Sequence, residues 1–143
     1  MKITIFILFS FIVFSSCEDN VNLENIDPFL GTWELKTVVI DGDAISTPPS
    51  KITIIFSEQK ENLVFSGSST CNFYGGEVIK ITTKNDISLS AMYTTEMACS
   101  PDLLNLYEND YYNWLTKASQ YSIVENQLVL SFENTSLNYE KVN

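Results

Sequence analysis

Residues 31–40 read GTWELKTVVI, and this stretch decides the fold. Apolar or β-branched side chains occupy every second position, while Glu34 and Lys36 lie between them. Because successive side chains of a strand point to opposite faces, this alternation predicts a half-buried β-strand. Asp41-Gly42-Asp43 then predicts a turn, since glycine accepts a positive φ and aspartate bonds to nearby backbone. The side chains predicted to face the core are Trp33, Leu35, Thr37 and Val39.

Short runs rich in β-branched and aromatic residues recur along the chain, separated by polar or glycine-containing gaps. The predicted strands are residues 51–56, 62–67, 70–76, 78–83, 87–93, 120–124, 127–132 and 137–142, with late turns at 125–126 and 134–136. Leu128, Leu130 and Phe132 are expected to point inward, as in a sheet with one solvated face. The chain is therefore predicted to be mainly β, with about eight or nine antiparallel strands.

Between residues 101 and 118 the spacing of apolar residues changes to three and four, which predicts one α-helix of about four turns. Ser100 is a candidate N-cap, with Pro101 at the first helical position. The residues predicted to pack on the sheet are Leu104, Tyr107, Tyr111, Trp114, Leu115 and Ala118. Those predicted to lie off this face are Glu108, Asn109 and Asn113.

The first seventeen residues, MKITIFILFSFIVFSSC, have the order of a secretory signal: a charge, an apolar run and small residues. The apolar run is too short to cross a bilayer, which takes roughly twenty residues. Phe14-Ser15-Ser16-Cys17 resembles the lipobox of bacterial lipoproteins, so Cys17 is predicted to carry diacylglycerol; the alternative is an ordinary secretory signal with a chance cysteine. We expect a signal peptide at 1–16, a lipidated tether at 17–27 and one domain at 28–143. The expected location is the bacterial envelope, on the outer membrane, with the domain on its periplasmic or surface side.

The charge of the chain excludes several functions. The formal net charge is −10, and the chain contains neither histidine nor arginine. We expect no nucleic-acid binding, because that depends on basic side chains, and no Ser-His-Asp triad or imidazole metal site. The carboxylate pairs Asp41 with Asp43 and Glu108 with Asp110 are expected to be chance pairs that face solvent. We therefore expect no enzymatic activity, no cofactor and no bound metal.

Two cysteines remain once Cys17 is assigned to lipid. Cys71 and Cys99 are an even pair in a compartment that permits disulfides. A bridge between them would close a loop of about 29 residues and contribute roughly 3 to 4 kcal/mol. The alternative is a reactive thiol, although only Lys80 or Lys84, brought close by the fold, would lower its pKa.

The two cysteines lie in segments that resemble a known family. Residues 70–76, TCNFYGG, and 95–99, TEMAC, are similar to the G-C-N-x-Y-x-G and T-x-M-A-C elements of the META (HslJ-like) family. Thr70 replaces the usual first glycine. The resemblance extends over about Pro28 to Val142 and implies a curled antiparallel sheet, or partly open barrel, of about eight strands packed on one helix. Its motif residues are implied to be structural, with Asn72 in a hydrogen-bonded turn: Asn72, Tyr74, Gly76, Thr95, Met97 and Ala98, of which Tyr74 and Met97 are implied to be core.

The family has no agreed activity, although its members include envelope lipoproteins and stress-associated proteins. We expect a non-enzymatic module that binds an envelope protein or peptide, linked to envelope stress. Its partners would be the membrane, through acylated Cys17, and that protein. Gly31-Thr32-Trp33 also resembles the G-x-W opening of lipocalins, which implies a carrier of a small apolar ligand as an alternative. A protease inhibitor is a second alternative.

Overall fold

The computed structural model describes residues 26–45, 50–60, 62–97 and 102–142. The predicted signal peptide, Cys17, Ala98, Cys99 and the Ser100-Pro101 cap lie outside these residues. No helix in the described part of the chain is long and apolar enough to span a membrane.

Ten strands and one helix make up the described residues. They are β1 Gly31–Ile40, β2 Asp43–Ile45, β3 Thr53–Gln59, β4 Asn62–Ser68, β5 Phe73–Ile81, β6 Ile87–Leu89, β7 Tyr93–Thr94, α1 Asp102–Lys117, β8 Gln120–Val124, β9 Gln127–Phe132 and β10 Thr135–Val142. The sheet is antiparallel, with the order β6-β5-β4-β3-β1-β10-β9-β8, while β2 pairs with β1 and β7 pairs with β5.

The two ends of this sheet meet along a seam between β6 and β8. Asp86 and Gln120 form an isolated bridge there. On either side of the bridge, the Ile87 N–H donates to the Ser119 carbonyl at 3.0 Å and the Tyr121 N–H donates to the Asn85 carbonyl at 2.8 Å. The sheet is thus a nearly closed barrel, and the predicted fold class, mainly β with a curled antiparallel sheet and one helix, is confirmed.

Large side chains fill the barrel. The largest of the fully buried side chains are Trp33, Tyr74, Tyr111, Phe29, Phe56, Phe65, Ile52, Ile54, Leu63, Leu115, Leu128 and Leu130. The Trp33 indole donates to the carbonyl of Phe29 at 2.7 Å, so its one polar atom is satisfied. The helix contributes Tyr111 and Leu115 to the same core, and Ala118, which follows the helix, also belongs to it.

A β-bulge changes the inner face of β1. The register with β10 shifts between Leu35 and Thr37, so the alternation reverses after the shift. Val38 is buried, with 1% of its surface exposed, while Thr37 and Val39 are only half-buried. The prediction that Thr37 and Val39 face the core was therefore wrong, whereas Trp33 and Leu35 are buried as predicted.

Other element boundaries also differ from the predictions. The predicted strands 70–76 and 78–83 form one strand, β5, because its first half pairs with β4 and β7 and its second half with β6. The predicted strand 87–93 is divided into β6 and β7. The last turn lies at Glu133-Asn134, with Glu133 at a φ of 46°, which brings the start of β10 forward to Thr135.

Candidate functional site

A buried carboxylate joins the helix to the turn between β4 and β5. Glu108 of α1 is only 4% exposed. Its Oε1 accepts hydrogen bonds from the Asn72 N–H at 2.8 Å, the Cys71 N–H at 3.2 Å and the hydroxyl of Ser69. Its Oε2 accepts from Asn72 Nδ2 at 2.7 Å. The carboxylate therefore provides the hydrogen-bond acceptor that the backbone N–H groups of this tight turn need.

Asn72 extends this network to the segment that follows β7. Its Oδ1 accepts from the Met97 N–H at 2.7 Å and from Thr95 Oγ1 at 2.9 Å, and its Nδ2 lies 3.4 Å from the Met97 carbonyl. One side chain thus connects α1, the β4–β5 turn and residues 95–97. We call Ser69, Asn72, Thr95 and Glu108 the motif cluster.

The hydrogen bonds of the motif cluster determine the charge of Glu108. Burial alone would raise the pKa of its carboxyl group. The hydrogen bonds from Ser69, from both the side chain and the backbone of Asn72 and from the backbone of Cys71 outweigh burial, and they hold the pKa below its ordinary value. Glu108 is therefore an ionised, fully hydrogen-bonded group at neutral pH.

This environment corrects the prediction that Glu108 lies off the packing face of the helix. Glu108, Tyr111 and Leu115 are spaced by three and four residues and lie on one buried face of α1, and Ala118, just after the helix, is buried as well. The same spacing was readable in the sequence. Asp110 is exposed, so Glu108 and Asp110 do not form a solvent-facing pair, whereas Asp41 and Asp43 are both exposed at the β1–β2 turn.

Other motif residues fall in different environments. Tyr74 is buried, as the resemblance implied, but Met97 is 48% exposed, so the prediction that it is core was wrong. Its backbone is held by Asn72 while its side chain lies at the surface. A Cβ atom on Gly76 would lie 2.7 Å from Ser90 Oγ and 2.8 Å from the Phe65 ring, so glycine allows β5 to pass closely over Phe65.

Cys71 lies in the turn between β4 and β5. Its Sγ lies 3.6 Å from the carbonyl oxygen of Met97. Its predicted partner, Cys99, lies outside the described residues, and the pairing stays a prediction.

Three buried tyrosines form a hydrogen-bonded chain beneath the motif cluster. The Tyr74 hydroxyl donates to the Thr53 carbonyl at 2.8 Å and lies 2.7 Å from the Tyr111 hydroxyl, which lies 3.1 Å from that of Tyr139. Because each phenol has one proton to donate, the direction is fixed: Tyr139 donates to Tyr111, and Tyr111 donates to Tyr74. Burial raises the pKa of all three hydroxyls well above the ordinary value, so the chain is neutral.

Replacing Tyr111 with phenylalanine is expected to lower the free energy of unfolding by about 1 to 3 kcal/mol, because the buried Tyr139 hydroxyl loses its acceptor. Chemical denaturation followed by tryptophan fluorescence measures the loss. Tyr93→Phe, at an exposed tyrosine, is the control and is expected to change stability by less than about 0.5 kcal/mol. Equal stability of the Tyr111→Phe variant and the natural chain would contradict this account.

The outer surface of β3, β4, β5 and β7 carries two prominent aromatic side chains. Phe73 is 61% exposed and Tyr93 is 68% exposed. A Cβ atom on Gly75 would lie 2.3 Å from Tyr93 Oη and 2.6 Å from its Cζ, so the end of the Tyr93 ring lies directly over Gly75. The strand register places Ile55, Ser66, Gly75 and Tyr93 in one row across the four strands. We call Ile55, Ser66, Phe73, Gly75, Glu77 and Tyr93 the Tyr93 face.

An open groove of about 390 Å³ lies beside the Tyr93 ring. Its polar lining includes Ser57, Gln59, Ser66 and Glu77. A second hollow, which Tyr93 also lines, includes Ile55 and Phe73. Tyr93 thus borders both a groove with several polar residues and a more apolar hollow.

The Tyr93 face was not among the sites predicted from the sequence. A signal was present, because Phe73 lies between Asn72 and the buried Tyr74 and must therefore point away from the core. No sequence pattern marked Tyr93 in the same way, since it lies in a strand of only two residues.

The comparisons with known proteins agree with this architecture. The family model described as META domain matches residues 25–142. A protein from Burkholderia xenovorans, solved by NMR, is 22% identical with a TM-score of 0.69, covering 96% of this chain and 99% of that one. A DUF4847 family protein from Bacteroides vulgatus ATCC 8482, solved by crystallography, is 17% identical with a TM-score of 0.56, covering 80% and 96%.

A second NMR structure is 24% identical, with a TM-score of 0.58, and covers 85% of this chain and 96% of that one. At these identities the solved structures show a common fold. No curated protein matches the sequence to a significant degree. The match of the family model over most of the chain, together with the two motifs that meet at Asn72, shows that the chain belongs to the META domain family.

Proposed function

We propose that this protein is a membrane-anchored, non-enzymatic module of the bacterial envelope that binds a protein or peptide partner and acts in envelope stress. The observation that carries the proposal is the Tyr93 face, where two aromatic side chains on adjacent strands of the sheet are more than half exposed. Exposed aromatic side chains are enriched where proteins bind one another and are uncommon elsewhere on surfaces.

The motif cluster supports a binding role because it holds this face in place. The Phe73 N–H donates to Thr95 Oγ1 at 3.1 Å, and the Thr95 N–H donates to the Phe73 carbonyl at 3.0 Å. Thr95 Oγ1 in turn donates to Asn72 Oδ1. The backbones that carry Phe73 and Tyr93 are thereby tied to the buried Glu108, and a fixed surface binds with a smaller loss of conformational entropy.

Packing inside the barrel favours binding on the outside. Trp33, Tyr74 and Tyr111 lie where a carrier would hold its ligand, and each is almost completely buried among protein atoms. The proposed anchor is acylated Cys17, preceded by the signal peptide. The proposed disulfide between Cys71 and Cys99 would tie the motif cluster to the start of the helix.

The test is covalent crosslinking in intact cells, followed by mass spectrometry of the captured proteins. Phe73→Ser with Tyr93→Ser removes both exposed rings, and we expect capture of a defined envelope protein to fall by about tenfold or more, as for loss of central aromatic contacts. Val124→Ser with Val142→Ser, at exposed apolar residues elsewhere, is the matched control and should leave capture unchanged. Cys17→Ala is expected to release the protein from the membrane.

Two results would overturn the proposal. One is capture that is equal for the Tyr93-face variant and the natural protein. The other is a Tyr93-face variant that tolerates outer-membrane stress as well as the natural protein does, in a strain where deletion of the protein causes sensitivity.

A further inference from the structure

The Tyr93 face combines a flat aromatic ring with an uncommitted carboxylate. Glu77 follows Gly75 by two residues on β5, so the two residues lie on the same side of the strand, and Glu77 and Tyr93 line the same groove. The position of Tyr93 over Gly75 leaves most of the ring open to solvent. A planar, positively charged group placed in the groove would therefore meet the ring and the carboxylate together.

The charge of Glu77 is available to a partner. Its carboxylate has no hydrogen-bond or ion-pair partner within the part of the chain that the structure describes, although its backbone N–H donates to Ser90 Oγ at 2.8 Å. Lys60 lines a neighbouring hollow with Glu77 but does not reach ion-pair distance. Lys36 and Lys51 are already paired with Glu34.

From this geometry we infer that the Tyr93 face recognises an arginine side chain of its partner, stacked on the Tyr93 ring and hydrogen-bonded to Glu77. This inference rests on the proposed function and names the chemistry of the partner. The guanidinium group is planar, carries a fork of N–H donors suited to a carboxylate and stacks on aromatic faces, whereas the lysine ammonium is a strongly hydrated point charge. The groove of about 390 Å³ has room for such a side chain.

The surroundings of the groove favour a cationic peptide segment. The protein has a formal net charge of −10 and no arginine of its own, so a basic partner is attracted and a second copy of the chain is repelled. The backbone groups of β4 and β5 pair with their neighbouring strands, so recognition must come from side chains. Ile55 and Phe73 offer an apolar hollow to the residue beside the arginine.

The experiment is an NMR titration of the ¹⁵N-labelled protein with the blocked peptide acetyl-Gly-Phe-Arg-Phe-Gly-amide. We expect saturable shifts at the amides of Ser66, Gly75, Glu77 and Tyr93. The same peptide with glutamine in place of arginine is expected to bind about tenfold more weakly, because a charge-assisted hydrogen bond is lost. The affinity of the peptide with lysine should lie between those of the arginine and glutamine peptides, and the peptide with glutamate should not bind.

Two variants test the two halves of the site. Glu77→Gln is expected to weaken binding of the arginine peptide about tenfold and to leave the affinity for the glutamine peptide unchanged. Gly75→Ala places a methyl group where the end of the Tyr93 ring lies, so the ring must move. We expect this variant to lose a similar amount of affinity for the arginine peptide. Glu125→Gln, at an exposed turn, is the matched control with the same change of charge.

The outcomes separate this inference from the proposed function. Equal binding of the arginine and glutamine peptides, or equal binding by the natural protein and Glu77→Gln, overturns the arginine site. If the arginine site is overturned in this way but partner capture in cells still depends on Phe73 and Tyr93, the proposed function stands without the arginine site. If capture does not depend on them while the arginine peptide binds as expected, the site exists but the proposed function fails.

Discussion

Replacing Glu108 with alanine is expected to lower the free energy of unfolding by about 3 to 5 kcal/mol, the largest effect of any single side chain considered. The N–H groups of Cys71 and Asn72 would lose the acceptor that the carboxylate provides, and Asn72 Nδ2 would lose its shorter hydrogen bond. Buried donors without partners cost about 1 to 3 kcal/mol each. Chemical denaturation, analysed with the linear dependence on denaturant, measures the loss.

Two further variants show whether the loss comes from the hydrogen bonds. Glu108→Gln keeps one acceptor oxygen but turns a nitrogen toward Asn72 or the turn, so we expect a loss of roughly half that size. Asp110→Ala, on the same helix but exposed, is expected to change stability by less than about 0.5 kcal/mol. A Glu108→Ala variant as stable as Asp110→Ala would exclude a structural role for the motif cluster.

The lowered pKa of Glu108 gives this interaction a pH dependence. A carboxyl group whose pKa is lower in the folded state contributes stability that is fully present above its unfolded pKa. The contribution is lost as the pH falls through the lower, folded pKa. The difference in stability between the natural chain and Glu108→Gln is therefore expected to be constant at neutral pH and to shrink in acid, below about pH 4.

Replacing Gly67 with alanine is expected to cost about 3 kcal/mol or more, at the upper end of the range for overpacked cores. A Cβ atom there would lie 2.0 Å from the Thr53 carbonyl oxygen and 2.8 Å from the Tyr74 hydroxyl. The obstructing atom is backbone in the neighbouring strand, and the hydroxyl belongs to the buried tyrosine chain, so neither moves without breaking hydrogen bonds.

The midpoint of thermal unfolding reports this effect. Ser66→Ala is the matched control, because Ser66 is the residue before Gly67 in β4 and its side chain points to the opposite face. We expect its midpoint to stay close to that of the natural chain. A Gly67→Ala midpoint within a degree of the control would mean that β3 and β4 separate more easily than their register suggests.

Alternation of apolar residues predicted most of the fold. The strands and the helix could be located because burial of one face leaves a period of two or three to four in the sequence. The β1 bulge could not be predicted in this way, since the extra residue at Lys36 leaves no mark on the composition of the strand. Because of the bulge, Val38 rather than Thr37 faces the core. Pairing with distant β10, rather than local preference, sets that register.

The motif residues were recognised, but their partners were only partly predictable. Asn72 was identified from the resemblance, whereas Glu108 was assigned to solvent because charged side chains are rarely buried without partners. Its partners are backbone N–H groups of a turn 36 or 37 residues earlier, which a periodicity argument cannot reveal. The resemblance implied that Met97 is core, yet only its backbone N–H takes part in the buried network, as a donor to Asn72.

The pairing of β1 with β10 affects when the barrel can form. Thr32 pairs with Val142 and Ile40 with Thr135, so one edge of the first strand is completed by the last strand. A chain that emerges with its N-terminus first would hold β1 half-paired until more than a hundred further residues had emerged. Such long-range closure makes folding slow and exposes apolar strands meanwhile. Until its final strand arrives, a chain of this design leaves one edge of β1 unpaired.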